Sequence, residues 1–381
     1  MRRLKVMTIV GTRPELIKLS RVIAELDRHT RHVLVHTGQN FDYELNEILF
    51  QQLAIRPPDH SLGVAESNAA RTIGMVIVKA DEVLEQERPD AVLIYGDTNS
   101  CLAAIAAKRR RIPVFHMEAG NRCFDQRVPE EINRRIIDHI SDVNLTITEH
   151  ARRYLLAEGL RPETVIKIGS NMREVLDHYR PGVEACDVLE RLGLEPGRYF
   201  VVSAHREENV DEEERLRALL ATLTALAGRH RLRIVMSTHP RTRKRLAALG
   251  RKAQGELRKV VEFLPPFGFF EWIKLQSHAL CVLSDSGTLT EESALLGFPA
   301  VMIREAHERP EGMDAGVTVM SGLTPERVLQ AVELVTQQGR PAAGANDVPD
   351  YAETEVARKV VRIISSYVDY VRRTTWFQLP G

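Results

Sequence analysis

LCVLSDSGTLTEESALLGFPAVMIREAHERPEGMDAG, Leu280 to Gly316, opens on a short apolar run, Leu280 to Leu283, that reads as a buried strand. Ser284-Asp285-Ser286-Gly287 makes a turn, and Thr288 to Leu296 has the spacing of a short helix stopped at Gly297. A second buried strand, Pro299 to Ile303, follows. A helix starting just past a Ser-Gly turn directs unpaired N–H groups and a partial positive charge beyond the strand end, which is how a phosphate is seated. Glu291 and Glu292, one turn on, are placed to accept hydroxyl hydrogens from a sugar on that phosphate. The same residues also suit a plain helix start, with Ser286 as the cap and the acids complementing the dipole. On these residues alone the two readings stand level.

Working outward, 381 residues exceed one ordinary core and call for two domains. Hydrophobic content of 44% and charged content of 27% are those of a water-soluble globular chain. Lys plus Arg and Asp plus Glu both number 52, so no global basic field points to nucleic acid. The local clusters Lys108 to Arg111 and Arg241 to Arg245 read as solvated helix faces. Cys101, Cys123, Cys186 and Cys281 are far apart, which suits free thiols in a reducing compartment and neither a disulfide framework nor a zinc site. No apolar run approaches 18 residues and the start does not read as a signal peptide, so the expectation is a cytoplasmic protein without a membrane span.

From the beginning, Leu4 to Val10 is a buried strand, followed by Gly11-Thr12-Arg13-Pro14-Glu15 and a helix. This strand, Gly turn and helix open a doubly wound sheet, with ligands expected at the strand's carboxyl end. The turn is not G-x-G-x-x-G, so a dinucleotide is not indicated. Arg13 in that turn favours ligand contact, whereas Lys18 also suits a surface role. Strands at His32 to His36, Ala91 to Tyr95 and Pro113 to His116 follow. The last two deliver Asp97 and Glu118 to one rim. Asp97 also suits a helix cap, while Ala119-Gly120 after Glu118 offers no strong helix start. Pro129 opens a helix with Glu130 and Glu131 in its first turn, and the alternation continues to Val165–Ile168.

The pattern restarts at the strand Tyr199 to Ser203, tipped by Ala204-His205-Arg206-Glu207. The implied architecture is α/β: two Rossmann-like doubly wound domains facing across a cleft, with His205 opposite Asp97, Glu118 and Glu131. The expected boundaries are 1–169, joined by a C-terminal helix at 365–381, and 170–364.

In chain order, Gly11-Thr12-Arg13-Pro14-Glu15 with Lys18, Gly96-Asp97-Thr98, His116-Met117-Glu118-Ala119-Gly120 and Pro129-Glu130-Glu131-Ile132-Asn133-Arg134 line up in the first half. Ala204-His205-Arg206-Glu207, Ser284-Asp285-Ser286-Gly287 with Glu291-Glu292, and Glu308-Arg309-Pro310-Glu311 follow in the second. Together these seven motifs resemble the non-hydrolysing UDP-N-acetylglucosamine 2-epimerase family over essentially the whole chain. The resemblance implies the GT-B architecture, a homodimer, and a UDP-sugar substrate with no metal or other cofactor. It implies that Asp97, Glu118, Glu131 and His205 are catalytic. Arg13, Lys18, Phe270, Ser286, Gly287, Glu292 and Arg309 are implied to bind substrate, with Phe270 at the uracil and Glu292 at the ribose. The implied reaction removes the C2 proton as UDP leaves C1, then re-adds UDP and returns a proton from the opposite face.

Three departures mark this chain. Gln39-Asn40-Phe41 stands where many members carry Gln-His-Arg, in the loop that in them binds a second, activating substrate molecule. Gly169-Ser170-Asn171 replaces Gly-Asn-Thr. His307 to Gly316 and the tail Tyr367 to Trp376 look more like the branch acting on modified sugars, such as UDP-2-acetamido-2,6-dideoxy-L-talose or a UDP-diacetamido uronic acid. UDP-GlcNAc and UDP-ManNAc are the leading substrates and that branch the alternative. A GT-B glycosyltransferase is a further class, separable by its need for an acceptor.

Overall fold

The structure, a computed structural model, describes residues 3–38, 43–248, 257, 259–340 and 348–378. The chain divides into two compact units, Met1–His178 with Pro349–Gly381, and Tyr179–Val348.

The first unit carries a seven-stranded sheet: β1 Lys5–Val10, β2 Arg31–His36, β3 His60–Ser61, β4 Ala91–Tyr95, β5 Val114–Ala119, β6 Val143–Thr146 and β7 Val165–Lys167. Their order is β3-β2-β1-β4-β5-β6-β7 and every pairing is parallel. Because side chains alternate along a strand, Met7 and Ile9, Val33 and Val35, and Val92 and Ile94 share one face. They pack with Val76, Ala80 and Leu84 of the helix Ala69–Glu87 and with Ala103, Ala104 and Ala107. The small alanines allow that close approach. Between β4 and β5 a 3-10 turn, Asn99–Ala103, precedes the helix Ala104–Arg109, where the spacing predicts one helix from Leu102. Thr98 caps the turn, accepting from Ser100 N, so the winding begins earlier and tighter.

The second unit has six parallel strands: β8 Tyr199–Ser203, β9 Arg233–Ser237, β10 Glu262–Leu264, β11 Cys281–Ser284, β12 Ala300–Met302 and β13 Val319–Met320. Their order is β10-β9-β8-β11-β12-β13. Alternation again sorts the faces: Phe200, Val202, Ile234, Met236 and Leu283 join one buried cluster, and Tyr199, Val201, Val235, Val282 and Met302 the other.

Both sheets reverse direction of winding at a central pair, β1/β4 in the first unit and β8/β11 in the second. Such switch points leave a crevice at the strands' carboxyl ends, where ligands of doubly wound sheets bind. The helix Val356–Thr375 returns to the first unit and packs on the helix Arg13–His29. No described helix is long and apolar enough to cross a membrane.

Candidate active site

At the β1/β4 rim the chain leaves β1 through Gly11 and enters the helix Arg13–His29, with Pro14 in its first turn. A Cβ on Gly11 would lie 2.0 Å from Ser100 Oγ and 2.2 Å from Thr37 Oγ1, so only glycine fits. Glu15 folds back to accept from Gly11 N at 2.6 Å and Thr12 N at 3.3 Å, and its other oxygen takes the Thr98 hydroxyl at 2.5 Å. One carboxyl thereby ties the turn after β1 to the loop after β4. Burial pushes it up to about 7, only partly offset by those hydrogen bonds.

Strand β5 continues through Met117 and Glu118 to Ala119, beyond the expected end at His116. Its register with β6 shifts between Met117 and Ala119, and Glu118 adopts φ of 65°. A bulge re-aims a side chain, and this left-handed geometry in a non-glycine costs on the order of 1–3 kcal/mol. Glu118 is met by Lys18 Nζ at 2.7 Å and the Tyr95 hydroxyl at 2.5 Å on the same oxygen, and Lys18 also lies over the Tyr95 ring. Lys18 is 3% exposed, so the surface role that suited it in the sequence does not hold.

Asp97 is not the cap, since Thr98 fills that place. Instead Arg134 grips its Oδ2 with Nε at 2.9 Å and Nη2 at 2.8 Å. The same guanidinium reaches Glu131 Oε2 through Nη1 at 3.0 Å, so one buried arginine spaces two of the expected catalytic carboxylates. Glu131, 1% exposed, also accepts from Cys123 N at 3.1 Å. Asn133 Nδ2 donates to the Asp97 carbonyl at 3.0 Å.

Beneath this rim His116 bridges two loops: Nε2 lies 2.9 Å from the Gly96 carbonyl and Nδ1 2.9 Å from Asp138 Oδ1. Both neighbours accept, so each bond needs its own ring hydrogen or a proton on Asp138. Asp138 also accepts from Gly120 N and from Arg122 Nη1, the latter at 2.6 Å, with all three side chains buried. Arg122 in turn holds Glu158 down to about 2. The backbone on either side of Asp97 and Glu118 is thus fixed from within.

At the β8/β11 rim the organising group is Asp285, fully buried. Its Oδ2 accepts from His205 N at 2.9 Å, Arg206 N at 3.0 Å and Asn209 Nδ2 at 3.1 Å. Its Oδ1 lies 3.2 Å from His205 Nδ1, an arrangement that selects ring orientation. His205 keeps 35% of its side chain exposed. The helix Thr288–Leu296 starts after Gly287 without a side-chain cap, and Ser286 Oγ instead meets Thr288 Oγ1 at 3.0 Å. The cap reading of Ser286 therefore falls. Gly287 lets Glu308 come close: a Cβ there would sit 2.2 Å from Glu308 Oε1, so a larger residue would displace that carboxylate. Glu292 is buried and accepts from Gln276 Nε2 at 2.8 Å. Arg309 is buried beside Glu291, Nη2 to Oε2 at 3.6 Å. Phe270, on the helix Phe269–His278, stacks at a tilt with Tyr179, ring centroids 6.0 Å apart, and crowds Gly182.

The first unit therefore gathers Arg13, Lys18, Asp97, Glu118 and Glu131 at its switch-point rim, and the second gathers His205, Ser286 and Gly287 at its own. The family model described as UDP-N-acetylglucosamine 2-epimerase matches residues 24–365. The chain belongs to this family. A solved structure from Rickettsia bellii, a UDP-N-acetylglucosamine 2-epimerase, is similar to it at 58% identity and a TM-score of 0.92, covering 99% of this chain and 100% of that one. The Methanocaldococcus jannaschii UDP-GlcNAc 2-epimerase, solved with UDP-GlcNAc and UDP, is 31% identical with a TM-score of 0.89, covering 95% and 100%. The UDP-2,3-diacetamido-2,3-dideoxy-D-glucuronate 2-epimerase of Pseudomonas aeruginosa is 33% identical over 334 residues, 86% of this chain and 91% of the relative. Within the family the two parallel sheets are those of a GT-B-like fold.

The positioning groups Glu15, Tyr95, Arg134, Asp138 and Asp285 had no role in the sequence reading. Glu15, Arg134 and Asp285 lie inside quoted motifs, and that placement was their only signal. Gln39-Asn40-Phe41 lie outside the described residues. Among the described residues no cluster of three or more His, Cys, Asp or Glu could hold a metal.

Proposed function

We propose that the protein interconverts UDP-GlcNAc and UDP-ManNAc without a metal or redox cofactor. A base removes the C2 proton as the C1–O bond to UDP breaks and C1=C2 forms; UDP then re-adds at C1 while an acid protonates C2 from the other face. The observation that carries this reading is the trio Asp97, Glu118 and Glu131 on one switch-point rim, each carboxylate engaged by Lys18 or Arg134. Proton transfer at an unactivated carbon needs such positioned groups. His205, Arg13, Ser286 and Gly287 are assigned to the charge that grows on departing diphosphate, with Lys18 in support. Glu292 takes the ribose, Phe270 the uracil, and Arg309 acts through Glu291. A homodimer is part of this reading, supported by the exposed Ile132 and Ile136, four residues apart on the helix Pro129–Ile140.

The test is proton NMR of UDP-GlcNAc incubated with enzyme in D2O. Deuterium at C2 of recovered UDP-sugar is expected; transfer to an acceptor without C2 exchange marks a glycosyltransferase and sinks the proposal. The likeness to the P. aeruginosa enzyme favours a second substrate, a UDP-diacetamido uronic acid. A UDP-HexNAc panel including that sugar and 6-deoxy ones, compared by kcat/KM, decides between them.

A further inference from the structure

A cavity of about 470 Å3 lies in the first unit at the opposite edge of its sheet, where strands begin. It is lined where the helices Ala69–Glu87, Ala104–Arg109 and Val356–Thr375 end and where β4 starts. Arg88, Arg110, Arg111, Arg372 and Arg373 line it against Asp90 and Asp369, so five positive groups face two negative ones, a formal excess of three. Asp81 and Glu85, which pair with Arg110, and three helix carboxyl ends at roughly half a charge each offset that excess.

The ion pairs show which arginines keep their charge unpaired. Arg372 engages both aspartates, Asp90 at 3.0 Å and Asp369 at 3.6 Å. Arg110 is drawn to Asp81 and Glu85. Arg88, Arg111 and Arg373 make no ion pair among the described residues. They come from three different elements, and in a chain that is charge-balanced overall they converge on one cavity. The cluster Lys108 to Arg111, a solvated face by its sequence, therefore contributes two arginines to a concave wall.

We propose that this cavity binds a small diphosphate-bearing anion, at a site separate from the switch-point rim. Guanidinium forks match phosphoryl oxygens bidentately, and three of them on separate elements suit two linked phosphoryl groups better than one. The volume falls within the range of small-molecule pockets and leaves room for a sugar or nucleoside beyond the diphosphate. The inference does not rest on the proposed epimerase chemistry.

The probe is inorganic pyrophosphate, titrated calorimetrically into nucleotide-free full-length protein at fixed ionic strength, with the arginine variants reporting the cavity's share of the binding. Binding to the wild type is expected, weakened about tenfold or more in the double variant Arg111→Gly/Arg373→Ala, with UDP affinity within about twofold. Glycine is chosen because Arg111 has φ of 57°. Arg88→Gly, at φ of 47°, is an independent second variant with the same expected direction, and thermal melting verifies folding of each. ADP in place of pyrophosphate separates the sources: equal affinity means the diphosphate alone is recognised, tighter binding that a nucleoside fills the remaining volume. No pyrophosphate binding to the nucleotide-free wild type, or unchanged affinity in both variants, overturns the proposal. A protein that failed to bind UDP would refute the epimerase reading and leave pyrophosphate binding measurable.

Discussion

At the β1/β4 rim three carboxylates come from three different segments and two buried cations hold them; at the β8/β11 rim one buried carboxylate, Asp285, gathers a histidine and two backbone amides. The first arrangement holds three acids in fixed positions, which suits the proton transfer proposed for them. The second turns two N–H groups inward onto Asp285 and leaves the His205 ring part-exposed, which suits the anion-binding role proposed for it. A shared topology thus supports different chemistry because strand tips, and not the sheets, carry the functional groups.

The sharpest way to break this contrast is Glu118→Gln. It should lower C2 deuterium exchange by about 10³-fold while leaving UDP affinity within a few-fold, because the variant keeps shape and loses proton transfer. Equal losses in exchange and UDP binding would make Glu118 a binding group and erase the distinction.

Glu15→Gln probes the scaffold of the first rim. A carboxyl raised from 4.5 to about 7 stabilises the fold fully below its unfolded value, and that contribution is lost as pH rises through 7. It amounts to on the order of 3 kcal/mol. Urea titrations of the wild type should show this decline between about pH 4.5 and 7. The glutamine variant should lack that component, and an identical slope in both proteins would remove the role assigned to Glu15.

At the second rim, Asp285→Asn keeps an oxygen for the three N–H donors but turns an NH2 toward His205. Turnover should fall about tenfold to a hundredfold, with UDP affinity less affected. An unchanged rate would mean that His205 needs no orienting partner. The smallest effect is expected from Glu292→Gln: UDP dissociation constants should rise about tenfold by calorimetry, with kcat nearly constant. A fall in kcat at unchanged UDP affinity would move Glu292 from binding to chemistry.

Strand, turn and helix spacing made the two doubly wound halves and both rims readable, because hydrophobic alternation and Gly turns are local signals. Lys18, Asp97, Glu118 and His205 could be named because they stand at strand ends or one turn beyond. What holds them is not local. Glu15 meets Thr98 across 83 residues and Arg372 meets Asp90 across 282, distances at which no periodicity carries information. The bulge at Glu118 was hidden for another reason: nothing in His116-Met117-Glu118-Ala119-Gly120 marks a positive φ at a glutamate. The arginine cavity was hidden because its walls are three helix ends far apart in the chain.

The first unit is completed only by the segment from Pro349 onward, whose Arg372 and Asp350 bind Asp90 and Lys167 in the earlier half of the chain. The second unit is one uninterrupted stretch. During synthesis, then, the later-made half has all its residues available before the earlier-made half does. The amino-terminal portion must wait with the side of the Arg13–His29 helix that the Val356–Thr375 helix covers still open, so a chain truncated at residue 348 should carry a folded second unit tethered to a protease-sensitive first one.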